Sequence, residues 1–141
     1  MNGAFREKLK NLQWPPRRFR WNFLLGSRGE RLAARFLKRQ GFHLIVRNYK
    51  CVAGEVDLIC SREDLIAFIE VKSRTSADAQ DPQEAARTVQ WRRIERAARY
   101  FLLQYPVKNR TYRFDLVTVI YPGKGSPVLE HFEGAYQPLR S

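Results

Sequence analysis

Asp57, Glu70 and Lys72 are two acids and an amine set in apolar, strand-forming sequence: GEVDLIC over residues 54–60 and LIAFIEVKSR over residues 65–74. Side chains two apart on a strand face the same way. Glu55, Asp57 and Ile59 therefore share one side of the first run, with Val56, Leu58 and Cys60 on the other. In the second run Ile66, Phe68, Glu70 and Lys72 share a side. Arg62, Glu63 and Asp64, between the runs, make a tight polar connection, which predicts an antiparallel hairpin turning near Glu63. That register sets Asp57 roughly opposite Glu70, with Lys72 on the same face. Two carboxylates held side by side repel unless a cation neutralises them or one keeps a proton. A hard divalent cation such as Mg²⁺ or Mn²⁺ prefers oxygen ligands of this kind. An amine beside it can orient water or stabilise charge on a phosphate. The competing reading is a hairpin whose charges face solvent, with Lys72 paired to Glu70, because a D…ExK spacing by itself is a weak motif.

These runs need elements to hold them. GSRGERLAARFLKRQG, residues 26–41, reads as a helix capped by Ser27, striped by Leu32, Ala33, Phe36 and Leu37, and ended by Gly41. Glu30 shares the edge of that inward stripe, where offsetting the helix dipole competes with a role in a site. FHLIVRN precedes the hairpin as a further strand. Residues 81–106 read as one long helix: Asp81 caps it, Pro82 and Glu84 suit its first turn, and Pro106 stops it. YRFDLVTVIY is another strand, and PVLEHFEGAY a short closing strand and turn. The order is α-β-β-β-α-β with a small tail, an α/β fold.

Composition narrows the partners. A chain of 141 residues is most simply one domain, and 44% hydrophobic residues suffice for a core. The 26 Lys+Arg against 14 Asp+Glu leave a net charge of +12, which makes a polyanion the first ligand to consider. Cys51 and Cys60 lie in what reads as one extended run, nine residues apart, and so on opposite faces. No CxxC or Cys/His cluster occurs, which argues against structural zinc. Free thiols fit a reducing cytoplasm. No apolar stretch approaches the roughly 18 residues of a membrane span, so no membrane partner is expected. Residues 1–25 read as a basic, aromatic extension and residues 26–141 as a single domain.

From residue 26 onward, the motifs GSRGERLAARFLKRQGFHLIVRNYK, GEVDLIC, LIAFIEVKSR and RFDLVTV, in that order, resemble the YraN-like family of small bacterial predicted endonucleases. That family resembles archaeal Holliday-junction resolvases of the PD-(D/E)XK nuclease superfamily. The resemblance implies a restriction-endonuclease-like core, a mixed sheet flanked by helices. It implies Asp57 and Glu70 as metal-binding acids, Lys72 as the catalytic lysine, Glu30 as an extra helix acid and the Val71 carbonyl as a further ligand. The activity implied is Mg²⁺- or Mn²⁺-dependent hydrolysis of phosphodiester bonds in DNA, branched DNA included; RNA stays open as a substrate. Resolvase-type relatives cut as dimers, which makes a homodimer the implied assembly. The chain departs from the superfamily's Pro-Asp signature at Val56. It also has Gln90 where family members often carry a lysine.

Binding falls to basic residues in this reading. Arg87, Arg92, Arg93, Arg96 and Arg99 crowd the long helix, with Arg28, Arg31 and Arg35 nearby, and Gln90 can still hydrogen-bond a phosphate. Such residues suit phosphate contacts better than base reading. Arg74 continues the Lys72 face, where a phosphate contact competes with a solvated strand end. Glu55 is open between a metal contact and an outer role. Trp91, Trp14 and Trp21 could stack on bases but read better as core edges. Asp115 reads as a structural hydrogen-bonder, and His43 and His131 as ordinary strand histidines. The alternative function, from another class, is a catalytically silent nucleic-acid-binding accessory module with the same charge and no need of metal.

Overall fold

The computed structural model describes residues 28–76, 81–106 and 109–138. The N-terminal extension, with Trp14 and Trp21, and the Ser27 cap lie outside the described residues. The elements run α1 (Arg28–Arg39), β1 (His43–Cys51), β2 (Gly54–Arg62), β3 (Leu65–Thr75), α2 (Pro82–Arg87), α3 (Trp91–Gln104), β4 (Thr111–Tyr121) and β5 (Val128–Tyr136). The fold is mixed α/β, with one five-stranded sheet in the order β1-β2-β3-β4-β5. Neighbours are antiparallel except β3 and β4, which are parallel. The parallel pair is joined by α2 and α3, as a parallel connection requires a crossover.

Each sheet face has its own core. On one, Ala33, Ala34 and Leu37 of α1 pack on Leu58, Cys60, Ala67, Ile69 and Val117. On the other, Ile94, Ala97, Ala98 and Phe101 of α3 pack on Ile59, Ile66, Phe68 and Leu116. Phe101 lies edge-on to Tyr49 and Phe68, with centroids 5.4 and 6.0 Å away. Such pairs add about 1 kcal/mol each beyond the area they bury.

The β2–β3 hairpin turns where the sequence indicates. Arg62 pairs with Leu65 across a two-residue loop, and Glu63 takes a positive φ of 53°. Three expectations are corrected. Residues 81–106 are two helices, not one. Val89 and Trp91 are both buried, which one straight helix cannot achieve for residues two apart. The break re-phases the chain so that Trp91, Ile94, Ala98 and Phe101 share the inward face of α3. The last carbonyls of α2 keep short-range bonds from the Thr88 and Val89 N–H groups, and side chains add to them: Thr88 Oγ1 donates to Ala85 O at 2.7 Å and Trp91 Nε1 to Ala86 O at 2.8 Å. The closing strand β5 is not short; it runs nine residues along β4. Cys51 and Cys60 do lie towards opposite faces, but on different strands, since a turn at Val52 and Ala53 separates β1 from β2.

The strict alternation expected for β2 also fails, at one place. Val56 and Ile59, three apart, both enter the α3 core, and so do their partners Tyr49 and Val46 on β1. Between them Asn48 takes a positive φ of 51°, opposite Asp57. Both strands are thus distorted together, and the distortion falls on the acid.

Candidate active site

Asp57 stands where the sheet divides. The β2–β3 ladder ends at the Leu58–Ile69 pair, although β2 begins at Gly54 and β3 continues to Thr75. Beyond that pair the first half of β2 stays with β1 as far as Cys51 and Gly54, and the last part of β3 stays with β4 as far as Thr75 and Tyr121. The result is a fork in the sheet with Asp57 and Glu70 at its base. The Val71 N–H, which would otherwise face a vanished strand partner, donates to Asp57 Oδ2 at 2.8 Å. A side chain has replaced a backbone acceptor, as the pairing of buried polar groups demands.

Glu70 lies level with Asp57 across the hairpin, and each carboxyl acts on the ionisation of the other. Two adjacent carboxyls out of full contact with water resist ionising together, which favours a proton on one of them. Burial first, and then the Asp57 charge, push the Glu70 carboxyl up to about 8. Asp57 is also raised by burial, although the Val71 N–H, Glu70 and Lys72 favour its ionised form. The proton therefore belongs to Glu70. Glu55, exposed at the rim, adds repulsion to both acids, and half-buried Lys72 draws both the other way. Lys72 is not engaged in a salt bridge among the described residues, so the passive pairing with Glu70 does not form.

The remaining candidates are spread around this base. Gly29 of α1 is buried against β3, and a Cβ there would overlap the Ser73 hydroxyl. Glu30 is thereby carried to the helix end beside the fork, where its charge acts on Arg47 of β1. Among the described residues no three His, Cys, Asp or Glu side chains are gathered as a metal cage. Neither Glu30 nor Glu55 thus joins Asp57 and Glu70 in one. Arg74, half-buried past Lys72, donates to the Ser73 carbonyl at 3.0 Å. Gln90 is exposed at the N-cap of α3 and makes no side-chain cap bond.

A model of the uncharacterised protein family UPF0102 matches residues 29–119, which span α1 to the end half of β4 and so contain the fork. The chain belongs to the UPF0102 family. It is 36% identical over 111 residues to a UPF0102 protein of Myxococcus xanthus, covering 79% of this chain and 87% of that one. A UPF0102 protein of Anaeromyxobacter dehalogenans is 39% identical over 112 residues, 79% and 83% of the two chains. One from Caldicellulosiruptor saccharolyticus is 42% identical over 95 residues, 67% and 80%.

In this UPF0102 chain the α3 arginines divide between two flanks. Arg93 lies against Gly54 at the rim of the fork, where a Cβ on Gly54 would come 2.6 Å from the Arg93 carbonyl oxygen. Arg92 and Arg99 instead face Tyr136, and Arg99 is partly neutralised by Glu95 at 2.9 Å. Arg96 is exposed. Trp91 is not available for stacking on a base: it is buried and lies parallel to Tyr136, centroids 5.5 Å apart. Among the described residues no helix is long and apolar enough to cross a membrane.

One cluster is only half legible in the sequence, which marks Asp115 as a structural hydrogen-bonder but not its partners. Asp115, fully buried, accepts from Arg113 Nε at 2.7 Å and Nη2 at 2.9 Å, from the Gly134 N–H at 3.0 Å, and contacts His131 Nε2 at 2.7 Å. Burial pushes this carboxyl up, but the bonds from His131, Arg113 and Gly134 outweigh it and hold it below the usual carboxylate range. Asp115 is structural, and His131 is its partner, not an ordinary strand histidine. The only local signal was an Arg two residues before an Asp on one strand; nothing in the sequence tied either to His131.

Proposed function

We propose that this protein is a metal-dependent endonuclease that hydrolyses phosphodiester bonds of DNA, built on a restriction-endonuclease-like core of the PD-(D/E)XK type. The observation that carries this reading is the meeting of Asp57 and Glu70 at the base of the fork, with Asp57 Oδ2 held by the Val71 N–H and Lys72 near enough to act on both acids. A fold that only needed a solvated hairpin would have no reason to set two half-buried acids against each other. The donor set fits a hard divalent cation: two carboxylates whose repulsion a cation would relieve in place of the proton. Asp57 and Glu70 would hold Mg²⁺ or Mn²⁺, with the Val71 carbonyl as a further oxygen; Glu30, the extra acid of the resemblance, is not gathered with them. When bound, the ion supplies Lewis acidity, acidifying water and offsetting charge on a phosphate.

The chain's own groups do the rest. The Val71 N–H holds Asp57 by its Oδ2 and so restrains the orientation of that carboxyl. Lys72 stabilises the negative charge that develops on the phosphate oxygens and orients the attacking water. Arg74, Gln90, Arg92, Arg93 and Arg96 supply phosphate contacts, in keeping with the charge of +12. Branched DNA and a homodimer follow from the resolvase resemblance alone, and a cytoplasmic setting from the free thiols.

The test is cleavage of linear, flapped and four-way DNA and of RNA, with Mg²⁺, Mn²⁺ or EDTA, by the parent, Glu70→Ala and Lys72→Ala. Metal-dependent nicking should fall by at least about a hundredfold in each variant. Nicking that survives both substitutions sinks the reading. Tight, salt-sensitive binding by a parent that never cuts would leave the accessory binding module instead.

A further inference from the structure

The turn joining β1 to β2 forms, with α3, a pocket of about 230 Å³ at the rim of the fork. At roughly 30 Å³ per water this is room for several waters, and so for a phosphate with part of its sugar. Its walls include Lys50, Val52, Glu55 and Arg93. Lys50 and Arg93 are exposed, and neither is in an ion pair among the described residues. Their placement is built in. Gly54 is buried under α3, and the Arg93 side-chain stem lies against it, 3.0 Å from where a Cβ would sit. Lys50 is the register partner of Glu55 across the hairpin. At the tip Val52 is 91% exposed, an apolar surface beside two cations.

Glu55 joins this pocket to the acids. It forms part of the pocket wall, and its charge is felt by both Asp57 and Glu70. Whatever occupies the pocket is therefore a neighbour of whatever reacts at the fork.

We infer that this pocket is a second phosphate subsite, in which Lys50 and Arg93 grip a non-scissile phosphate of the same nucleic-acid strand while Val52 lies against its sugar. The inference rests on the nucleic-acid reading above and adds to it a way of setting the strand's register. Two cations on different elements, one on a hairpin and one on a helix, bracket a phosphate without reading a base. Glu55 stands between this subsite and the acids, and its charge keeps the phosphate on the side of the two cations.

The test is binding of fluorescein-labelled duplex and single-stranded DNA in EDTA, followed by anisotropy over a salt series. Lys50→Ala/Arg93→Ala is compared with the parent and with Lys38→Ala/Arg39→Ala, which removes the same charge from the exposed far end of α1. Relative to that control, the pocket variant should bind more weakly, with a log–log salt slope shallower by about one. Lys50→Arg/Arg93→Lys should retain the parental slope, and Lys50→Ala alone, on an exposed hairpin residue, guards against loss of folding. Equal affinity and slope in the pocket and control variants overturn the subsite and leave the nuclease reading standing. A parent that binds no nucleic acid overturns both. A parent that binds but does not cut with metal, and whose slope responds as stated, retains the subsite and loses the nuclease.

Discussion

Two acidic clusters in this protein, one buried and one half-buried, are handled in opposite ways. Asp115, between β4 and β5, has a guanidinium, an imidazole and a backbone N–H arranged around it, and every contact favours its ionised form. Asp57 and Glu70, between β2 and β3, have one backbone N–H, a lysine at longer range and each other. The first cluster fastens the strands, since it ties β4 to β5 at Gly134 and His131. The second sits where two strands come apart. Burial raises the proton affinity of all three acids; what differs is the donor supply. A carboxylate saturated by donors has little left to offer a ligand. A pair of acids that repel each other is one whose repulsion a cation would relieve on the proposed reading.

Removing the saturated acid should have the largest effect. Asp115→Ala leaves Arg113, His131 and the Gly134 N–H without their acceptor, and should cost about 3–5 kcal/mol of folding stability by denaturant titration. A loss below about 1 kcal/mol would mean that the cluster fastens nothing. The converse holds at the fork, where the sign reverses. The folded-state pKa of Glu70 is raised to about 8, so its contribution is full below the usual glutamate value and is lost as pH rises through about 8. Metal-free thermal stability should therefore fall between about pH 4.5 and 8 by up to about 1.4 kcal/mol per pH unit from this group. Glu70→Gln should flatten that fall and be more stable than the parent at pH 8, and added Mg²⁺ should restore the parent alone. A Glu70→Gln protein that is less stable at pH 8 would remove the contrast between the two clusters.

A buried polar group in neither cluster provides the smallest, calibrating effect. Ser61 is fully buried on β2, and its hydroxyl has no hydrogen-bond partner among the described residues. Ser61→Ala should leave the melting midpoint unchanged or raise stability by up to about 1 kcal/mol. Destabilisation beyond that would show that burial alone, without partners, can be favourable here.

Much of the site was legible because its elements are local. The turn at Glu63 and Asp64 follows from polar residues between two apolar runs, and counting outward from it brings Asp57 level with Glu70. Leu32, Ala33 and Leu37 mark α1, and Asp81 does accept from the Gln83 N–H at 2.8 Å at the start of α2. The reading failed where a distant contact overrides local preference. Nothing between residues 81 and 106 forbids one helix; the break at Thr88–Gln90 serves the burial of Trp91 against Tyr136 of β5. Alternation assigned Val56 to the wrong face because it knows nothing of Asn48 on the neighbouring strand.

By itself the sequence determined which residues could meet: periodicity and turn chemistry are properties of a few neighbours, and they bring two acids and a lysine to one end of a hairpin. Only the tertiary structure decided what the meeting is like. Whether β2 and β3 stay paired or part at Asp57 depends on β1 and β4 claiming them on either side, and on helices closing both faces to water. That competition between distant partners opens the fork, leaves the acids half-buried against each other and raises the hold of Glu70 on its proton.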